Sequence, residues 1–308
     1  MKRETTTVLK SDFAIQDYLK EQKLILDEYL DRFLPPAHSQ PEIIHEAMRY
    51  SVFSSGKRIR PILALATGDA LGGDFKKLIH LAAALEMIHT YSLIHDDLPA
   101  MDDDDYRRGQ LSTHREFGEG IAILAGNALL VRAFQLLTEL PVQAEETETK
   151  VVVLDQVCRA TGTKGGMLAG QVMDLVKQSK PFSAQQLEQI HSAKTGALIL
   201  ASVYCAALLS GASAEASEKL RAFGQKIGLA FQIVDDILDV EASTQDSGKT
   251  PGKDHLSGKA TYPALYGLQA SRELAIELVE TAIQEIEFLG PRGEILRELG
   301  RFISVRRF

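Results

Sequence analysis

Residues Ser92–Gly109 read SLIHDDLPAMDDDDYRRG, and this stretch decides how the chain is interpreted. Asp96, Asp97, Asp102, Asp103, Asp104 and Asp105 fall within ten residues, and Arg107 and Arg108 follow at once. On charge density alone this is a solvated acidic turn. The residues before it argue otherwise, because the run LIHLAAALEMIHTYSLI leads directly into the carboxylates. An apolar helix that delivers negative charge ends at the mouth of a cavity, where charge is costly unless it is paired or bound to metal. A functional reading therefore requires a second half of the site elsewhere in the chain.

Working outward, nearly every segment carries helical spacing. Helices are predicted over 11–33, from about 39 to 56, over 59–71, and from Asp74 to about Ile94. Further helices are predicted over 119–138, 151–160, 165–178, 184–210, 214–240, 263–270, 272–289 and 291–305. Residues 141–150 read as a polar connection and 241–262 as a loop. No run of alternating β-branched residues calls for a sheet. The predicted class is all-α, one large bundle forming a single domain over residues 1–308.

Composition narrows the function. The 308 residues are 45% hydrophobic with a formal net charge of −8, which argues against a general nucleic-acid binder. Cys158 and Cys205 match no metal or redox spacing, and a reduced, cytoplasmic protein is the simplest expectation. The polar N-terminus lacks a signal-peptide core, and the apolar runs are broken by His, Glu or Lys, so no membrane span is expected. The basic C-terminal SVRRF reads as a solvated end.

The second half of the site lies near residue 230, where the chain reads IGLAFQIVDDILDV. Asp235 and Asp239 are four apart and share a helix face. Asp236 stands beside them, and Phe231, Ile233, Val234, Ile237 and Leu238 surround the cluster. Two apolar helices bearing aspartates point to facing carboxylates in a bundle. Oxygen ligands without His or Cys clusters suit Mg2+, which is held by one or two carboxylates together with substrate phosphates. Phosphate-binding cations are on hand in GKRIRP (Gly56–Pro61), Arg107-Arg108, Lys194-Thr195, Lys249 and Lys259.

Taken in order, GKRIRP, HTYSLIHDDLPAMDDDDYRRG, KTG, FQIVDDILD and GK…GKATYPAL resemble the motifs of the trans-isoprenyl diphosphate synthases, with bacterial-type farnesyl diphosphate synthases the nearest in pattern. The resemblance spans Gly56 to Pro263. It implies an all-α bundle of the isoprenoid synthase type I fold around a deep central cavity, usually as a homodimer. It also implies Mg2+-dependent head-to-tail condensation of isopentenyl diphosphate with an allylic diphosphate, with three Mg2+ per site once diphosphate is bound. Carried over by position, Asp96, Asp97 and Asp102 form the first metal motif and Asp235, Asp236 and Asp239 the second. Asp96, Asp102 and Asp235 are then the direct ligands. Arg107, Lys194, Lys249 and Lys259 match the partners of the allylic diphosphate. Gly56, Lys57, Arg60, His89 and Arg108 match the isopentenyl diphosphate site, and Thr195 and Gln232 stand beside the developing cation. Asn127 departs from the pattern, which has aspartate there.

Chain length is read from Tyr91 and Ser92, five and four residues before Asp96. A bulky side chain here would floor the cavity, and an aromatic at the first position matches short-chain bacterial members and a C15 product. A core aromatic with no such role explains Tyr91 equally well on spacing alone. Other readings account for less. Synthesis stopped at geranyl or extended to geranylgeranyl diphosphate uses the same chemistry. A class I terpene cyclase needs no second diphosphate site, so GKRIRP and Arg108 speak against it. A non-catalytic synthase subunit need not keep both carboxylate clusters. A plain Mg2+- or Ca2+-binding helical protein leaves the ordered basic motifs unexplained. An HD phosphohydrolase built on His89 and His95-Asp96 leaves the second aspartate motif unexplained.

Overall fold

The computed structural model describes residues 4–176, 183–242 and 261–305. Helices account for most of them. They are α1 (Glu4–Phe33), α2 (Glu42–Val52), α3 (Ile59–Leu71), α4 (Phe75–Asp96), α5 (Thr113–Phe117), α6 (Glu119–Thr138) and α7 (Thr147–Thr161). After these come α8 (Met167–Val176), α9 (Ala184–His191), α10 (Ala197–Leu209), α11 (Ala214–Ala242), α12 (Tyr262–Tyr266), α13 (Leu268–Glu285) and α14 (Glu294–Val305).

Helix α10 (ALILASVYCAALL) is apolar on every side, and such a helix belongs inside a bundle. It packs against α3, α4, α7 and α11. Around it, α4 lies on α6 and α11 on α13, so the two aspartate-bearing helices sit in one packed assembly. Leu81, Leu85, Met87 and Ile88 of α4 are fully buried, as are Phe223, Ile227 and Ile233 of α11. Apolar burial of this kind contributes about 25 cal/mol per Å2 and fixes where the aspartates emerge.

Predicted and observed boundaries agree for α3 and α6 and differ elsewhere for identifiable reasons. The predicted helix over 184–210 is interrupted by a π turn, Ser192–Gly196, between α9 and α10. The predicted helix ending near Gly56 stops at Val52, before Arg58 adopts the left-handed conformation (φ 52°). The last helix begins at Glu294 rather than 291, because Gly290 and Pro291 hold residues Glu287–Gly293 in a 3-10 segment. Residues Ala144–Glu146 of the predicted polar connection form a 3-10 turn, and α7 starts at Thr147.

One small sheet was unforeseen. β1 (Tyr106–Arg107) and β2 (Gln110–Leu111) pair antiparallel across Arg108-Gly109. Both turn residues have positive φ, 54° and 82°, as a two-residue type I′ hairpin requires. Most of the predicted 241–262 loop, with Lys249 and Lys259, and the last residues of the C-terminal SVRRF lie outside the described residues.

Candidate active site

The first carboxylate cluster is shaped by the end of α4. Asp102 N–H donates to Asp96 O at 2.8 Å and Asp104 N–H to Asp97 O at 3.2 Å. Leu98–Met101 therefore form a turn that folds Asp102 back onto Asp96. Asp96 is only 8% exposed and accepts a hydrogen bond from Gln171 Nε2 at 2.7 Å. Burial pushes its carboxyl above the ordinary range and Asp102 adds to this, while Lys194 and Gln171 act against it. Asp97 faces a different partner. It is buried and ion-paired with Arg107, whose Nε lies 2.8 Å from Oδ1, and Arg107 also reaches Asp104 at 3.3 Å. A cavity of about 20 Å3 beside this pair is lined by Thr90, Asp97 and Arg107, and it is large enough for one water. Asp105 is exposed and pairs with Arg115 at 3.2 Å, which assigns it to the surface.

The π turn supplies the opposing wall. Lys194 Nζ donates to Asp174 Oδ2 on α8 at 2.8 Å. Burial alone would lower the lysine's pKa, but Asp174, Asp96 and Asp102 together hold it above the ordinary value. Gly170 makes this approach possible, because any Cβ there would overlap the backbone of Lys194. π turns of this kind gather at functional sites, since they rotate side chains out of helical register. The neighbouring Thr195 hydroxyl donates to Gln232 Oε1 on α11 at 2.7 Å. On α11, Asp235 is half-buried and Asp239 exposed. Asp236 is buried and bonded to protein, with His191 Nε2 at 3.0 Å and Tyr262 N at 2.9 Å.

The hairpin separates the two arginines. Arg107 turns to Asp97, whereas Arg108 turns to the segment leading into GKRIRP, with Nη1 3.4 Å from Ser54 Oγ. Gly56 packs on the Arg108 guanidinium so closely that a Cβ would lie 2.5 Å from Nη1. Arg60 is half-buried, with its guanidinium 5.9 Å from the Phe231 ring centroid, and Lys57 is exposed. His89 is held well below its ordinary pKa by burial and by Arg60, Arg108, Arg58 and Arg107, so it is neutral at pH 7. Burial also lowers the pKa of Arg108, with Arg58 and Arg107 contributing and Glu86 opposing. Here positive charge crowds against positive charge, and such an arrangement is relieved by an anion. Arg58, the middle cation of the motif, has a structural partner instead. It is 2% exposed and bound to Glu86 at 2.7 Å, Asp27 at 3.1 Å and Val52 O at 2.6 Å.

Tyr91 is 3% exposed, and its ring meets that of His95 edge-on at 5.7 Å. Burial raises its phenol to about 12, with Asp96 adding to the shift. Ser92 Oγ donates to His89 O at 2.8 Å, a bond within α4. The His95 ring sits 3.2 Å from Ile123 O on α6, and Asn127 lies exposed on that helix.

Two site residues were missed from the sequence, Gln171 and Asp174. They stand three apart in GQVMD, the one polar pair in the otherwise apolar α8, and that pairing was the available signal. Among the described residues, no three His, Cys, Asp or Glu side chains are close enough to enclose a metal by themselves. The oxygen donors Asp96 and Asp102 are of the chemical kind Mg2+ takes together with a substrate's phosphates.

Comparison with known proteins gives the family. The polyprenyl synthetase family model matches residues 41–287. A farnesyl diphosphate synthase of Geobacillus stearothermophilus is 40% identical over 296 residues, covering 96% of this chain and 99% of the relative. The chloroplastic geranylgeranyl pyrophosphate synthase 11 of Arabidopsis thaliana is 46% identical over 271 residues, 87% of this chain and 76% of the relative. The apo crystal structure of an FPP/GFPP synthase from Zymomonas mobilis superimposes with a TM-score of 0.85 at 32% identity, covering 95% of this chain and 99% of that one. With the family model spanning most of its length, the chain belongs to the polyprenyl synthetase family, the trans-isoprenyl diphosphate synthases.

Proposed function

We propose that the protein condenses isopentenyl diphosphate head-to-tail with dimethylallyl and then geranyl diphosphate, releasing farnesyl diphosphate and diphosphate. The observation that carries this reading is the pairing of two unlike sites. Buried Asp96 and half-buried Asp102 face Lys194, and a crowded cationic cluster at Arg60, Arg108 and neutral His89 stands beside them. One diphosphate would bind with metal and the other without.

In this reading Asp96, Asp102 and Asp235 hold Mg2+, and the bound metal supplies charge stabilisation to the departing diphosphate. Lys194, with Arg107, binds the allylic diphosphate and favours heterolysis of the C–O bond, because its attraction grows as negative charge develops. Lys249 and Lys259 are proposed to join them. Thr195 and Gln232 present neutral oxygens beside the allylic cation. The apolar walls of α4 and α11 exclude water that would quench it. Lys57, Arg60, Arg108 and His89 hold the second diphosphate and aim its double bond at the cation, which is catalysis by positioning. The new carbon–carbon bond forms, and the proton lost from isopentenyl C2 passes to the released diphosphate.

Tyr91 is proposed to set a C15 product, its buried ring standing one turn or so ahead of Asp96. A homodimer is also proposed. On α6, Ile123, Leu124 and Val131 are 44%, 53% and 58% exposed, and on α7 Val151 is 59% exposed, an apolar face suited to a second copy. Incubating the purified protein with Mg2+, isopentenyl diphosphate and each allylic diphosphate, followed by product chromatography, tests the reading. Farnesyl diphosphate is the expected product, and no product from any pair would overturn it.

A further inference from the structure

Asp236 belongs by sequence to the second metal motif, yet its carboxylate is already engaged by the protein on both oxygens. Oδ2 accepts from His191 Nε2 at 3.0 Å and from the Tyr262 backbone N–H at 2.9 Å. Oδ1 accepts from Gln232 Nε2 at 3.3 Å. Gln232 passes the connection on, since its Oε1 takes the Thr195 hydroxyl at 2.7 Å. The chain of bonds is directional. An ionised carboxylate only accepts, so His191 Nε2 must carry the proton, and the Gln232 amide must turn its N toward Asp236 and its O toward Thr195. The partners are packed as well as bonded. His191, Asp236 and Tyr262 are 8%, 6% and 4% exposed, and the His191 ring stacks on Tyr262 at 5.6 Å with 24° between planes. His191 is the last residue of α9 and directly precedes the π turn that carries Lys194 and Thr195.

We infer that His191 is a positioning residue for the condensation. It acts through Asp236 to fix the Gln232 amide and the Thr195 hydroxyl, and Asp236 serves as the hub of that network rather than as a metal ligand. The inference rests on the proposed function for its kinetic meaning. The physical reason is that a buried network is most effective when every member is satisfied, and removing one donor frees the rest to rotate. Displacement of polar groups beside a reacting centre by as little as an ångström lowers turnover by up to about a hundredfold.

Two measurements test this. In steady-state assays, His191→Leu and Asp236→Asn should lower kcat about tenfold or more, leaving KM for isopentenyl diphosphate and the half-saturating Mg2+ concentration unchanged. His191→Gln, which keeps an N–H donor, should recover most of the loss. A raised Mg2+ requirement in Asp236→Asn would mean direct ligation and would overturn the inference, as would wild-type kcat in His191→Leu. The second measurement needs no activity. In protein carrying 15N-labelled histidine and no metal, one protected Nε2–H resonance should vanish in His191→Gln and shift in Asp236→Asn. A spectrum unmoved by Asp236→Asn overturns the network even where the wild type condenses no substrate, so failure of the function and failure of the network are read separately.

Discussion

Gln171 on α8 donates its amide N–H to Asp96 Oδ1 at 2.7 Å, tying the first carboxylate of the acidic stretch to a helix 75 positions further along the chain. The bond does two things. It satisfies one lone pair of a buried carboxylate, and it fixes the plane of the group so that the other oxygen is held in one direction. Replacing the amide by an apolar group leaves a buried acceptor short of a partner, which costs about 1–3 kcal/mol. Outer residues that orient metal ligands typically account for about 10–100-fold in metal affinity or activity. Gln171→Leu is therefore expected to lower kcat/KM for the allylic diphosphate at least tenfold, and Gln171→Glu further, because it sets a second carboxylate against Asp96. Kinetics across a Mg2+ series provide the check, and wild-type values in both variants would remove Gln171 from the site.

Arg58 makes the opposite prediction, a large effect on stability. It is 2% exposed and bonded to Glu86, which is 1% exposed. Breaking a buried pair by removing one partner strands the other charge, at about 3–5 kcal/mol. Urea unfolding of Arg58→Met should show a loss of that order, and the double variant Arg58→Met/Glu86→Leu should recover part of it. If the double variant is no more stable than the single one, Glu86 is not the stranded charge.

Much of this was legible in the sequence. Helices α3 and α6 follow from periodicity and end signals, and the acidic and basic motifs mark the residues that the fold gathers. The parts that were not legible share one cause, the choice of partner in three dimensions. Spacing puts Asp235 and Asp239 on one face of α11 and Asp236 on another, but only packing shows that Asp236 meets His191 and Tyr262. The stretch 184–210 keeps helical spacing throughout, and its one glycine, Gly196, does not by itself announce the π turn that carries Lys194. Arg58 reads like its neighbours Lys57 and Arg60 until burial against Glu86 sets it apart. The positive φ of Arg108 is likewise set by the hairpin and not by any preference of arginine.

His89 gives the fold a pH dependence of definite sign. Its folded pKa is depressed by burial first and then by Arg60 and Arg108, while the unfolded value stays near the ordinary one of about 6.5. Below that pH the unfolded chain takes up a proton that the folded chain refuses. Its contribution to stability is complete above pH of about 6.5 and declines as pH falls, by up to about 1.4 kcal/mol per unit. His89→Gln should flatten the stability profile between about pH 6.5 and 5 by that slope relative to the wild type. Parallel profiles in urea titrations would show that His89 is protonated equally in both states.

Tyr91 offers the sharpest test, because its ring and its hydroxyl make separable contributions. The ring is buried and set edge-on to His95, while the hydroxyl is buried with no hydrogen-bond partner among the described residues. If the ring floors the cavity, Tyr91→Ala should extend the product beyond C15, and it should cost about 3–5 kcal/mol through the cavity it leaves. Tyr91→Phe keeps the ring and removes only the unsatisfied oxygen. It should retain the C15 product and lose no stability, since a buried hydroxyl without a partner is itself a penalty. Chromatography of both variants separates the possibilities. Longer chains from the alanine variant alone identify the ring as the stop, and unchanged C15 product from it would leave Tyr91 as ordinary core.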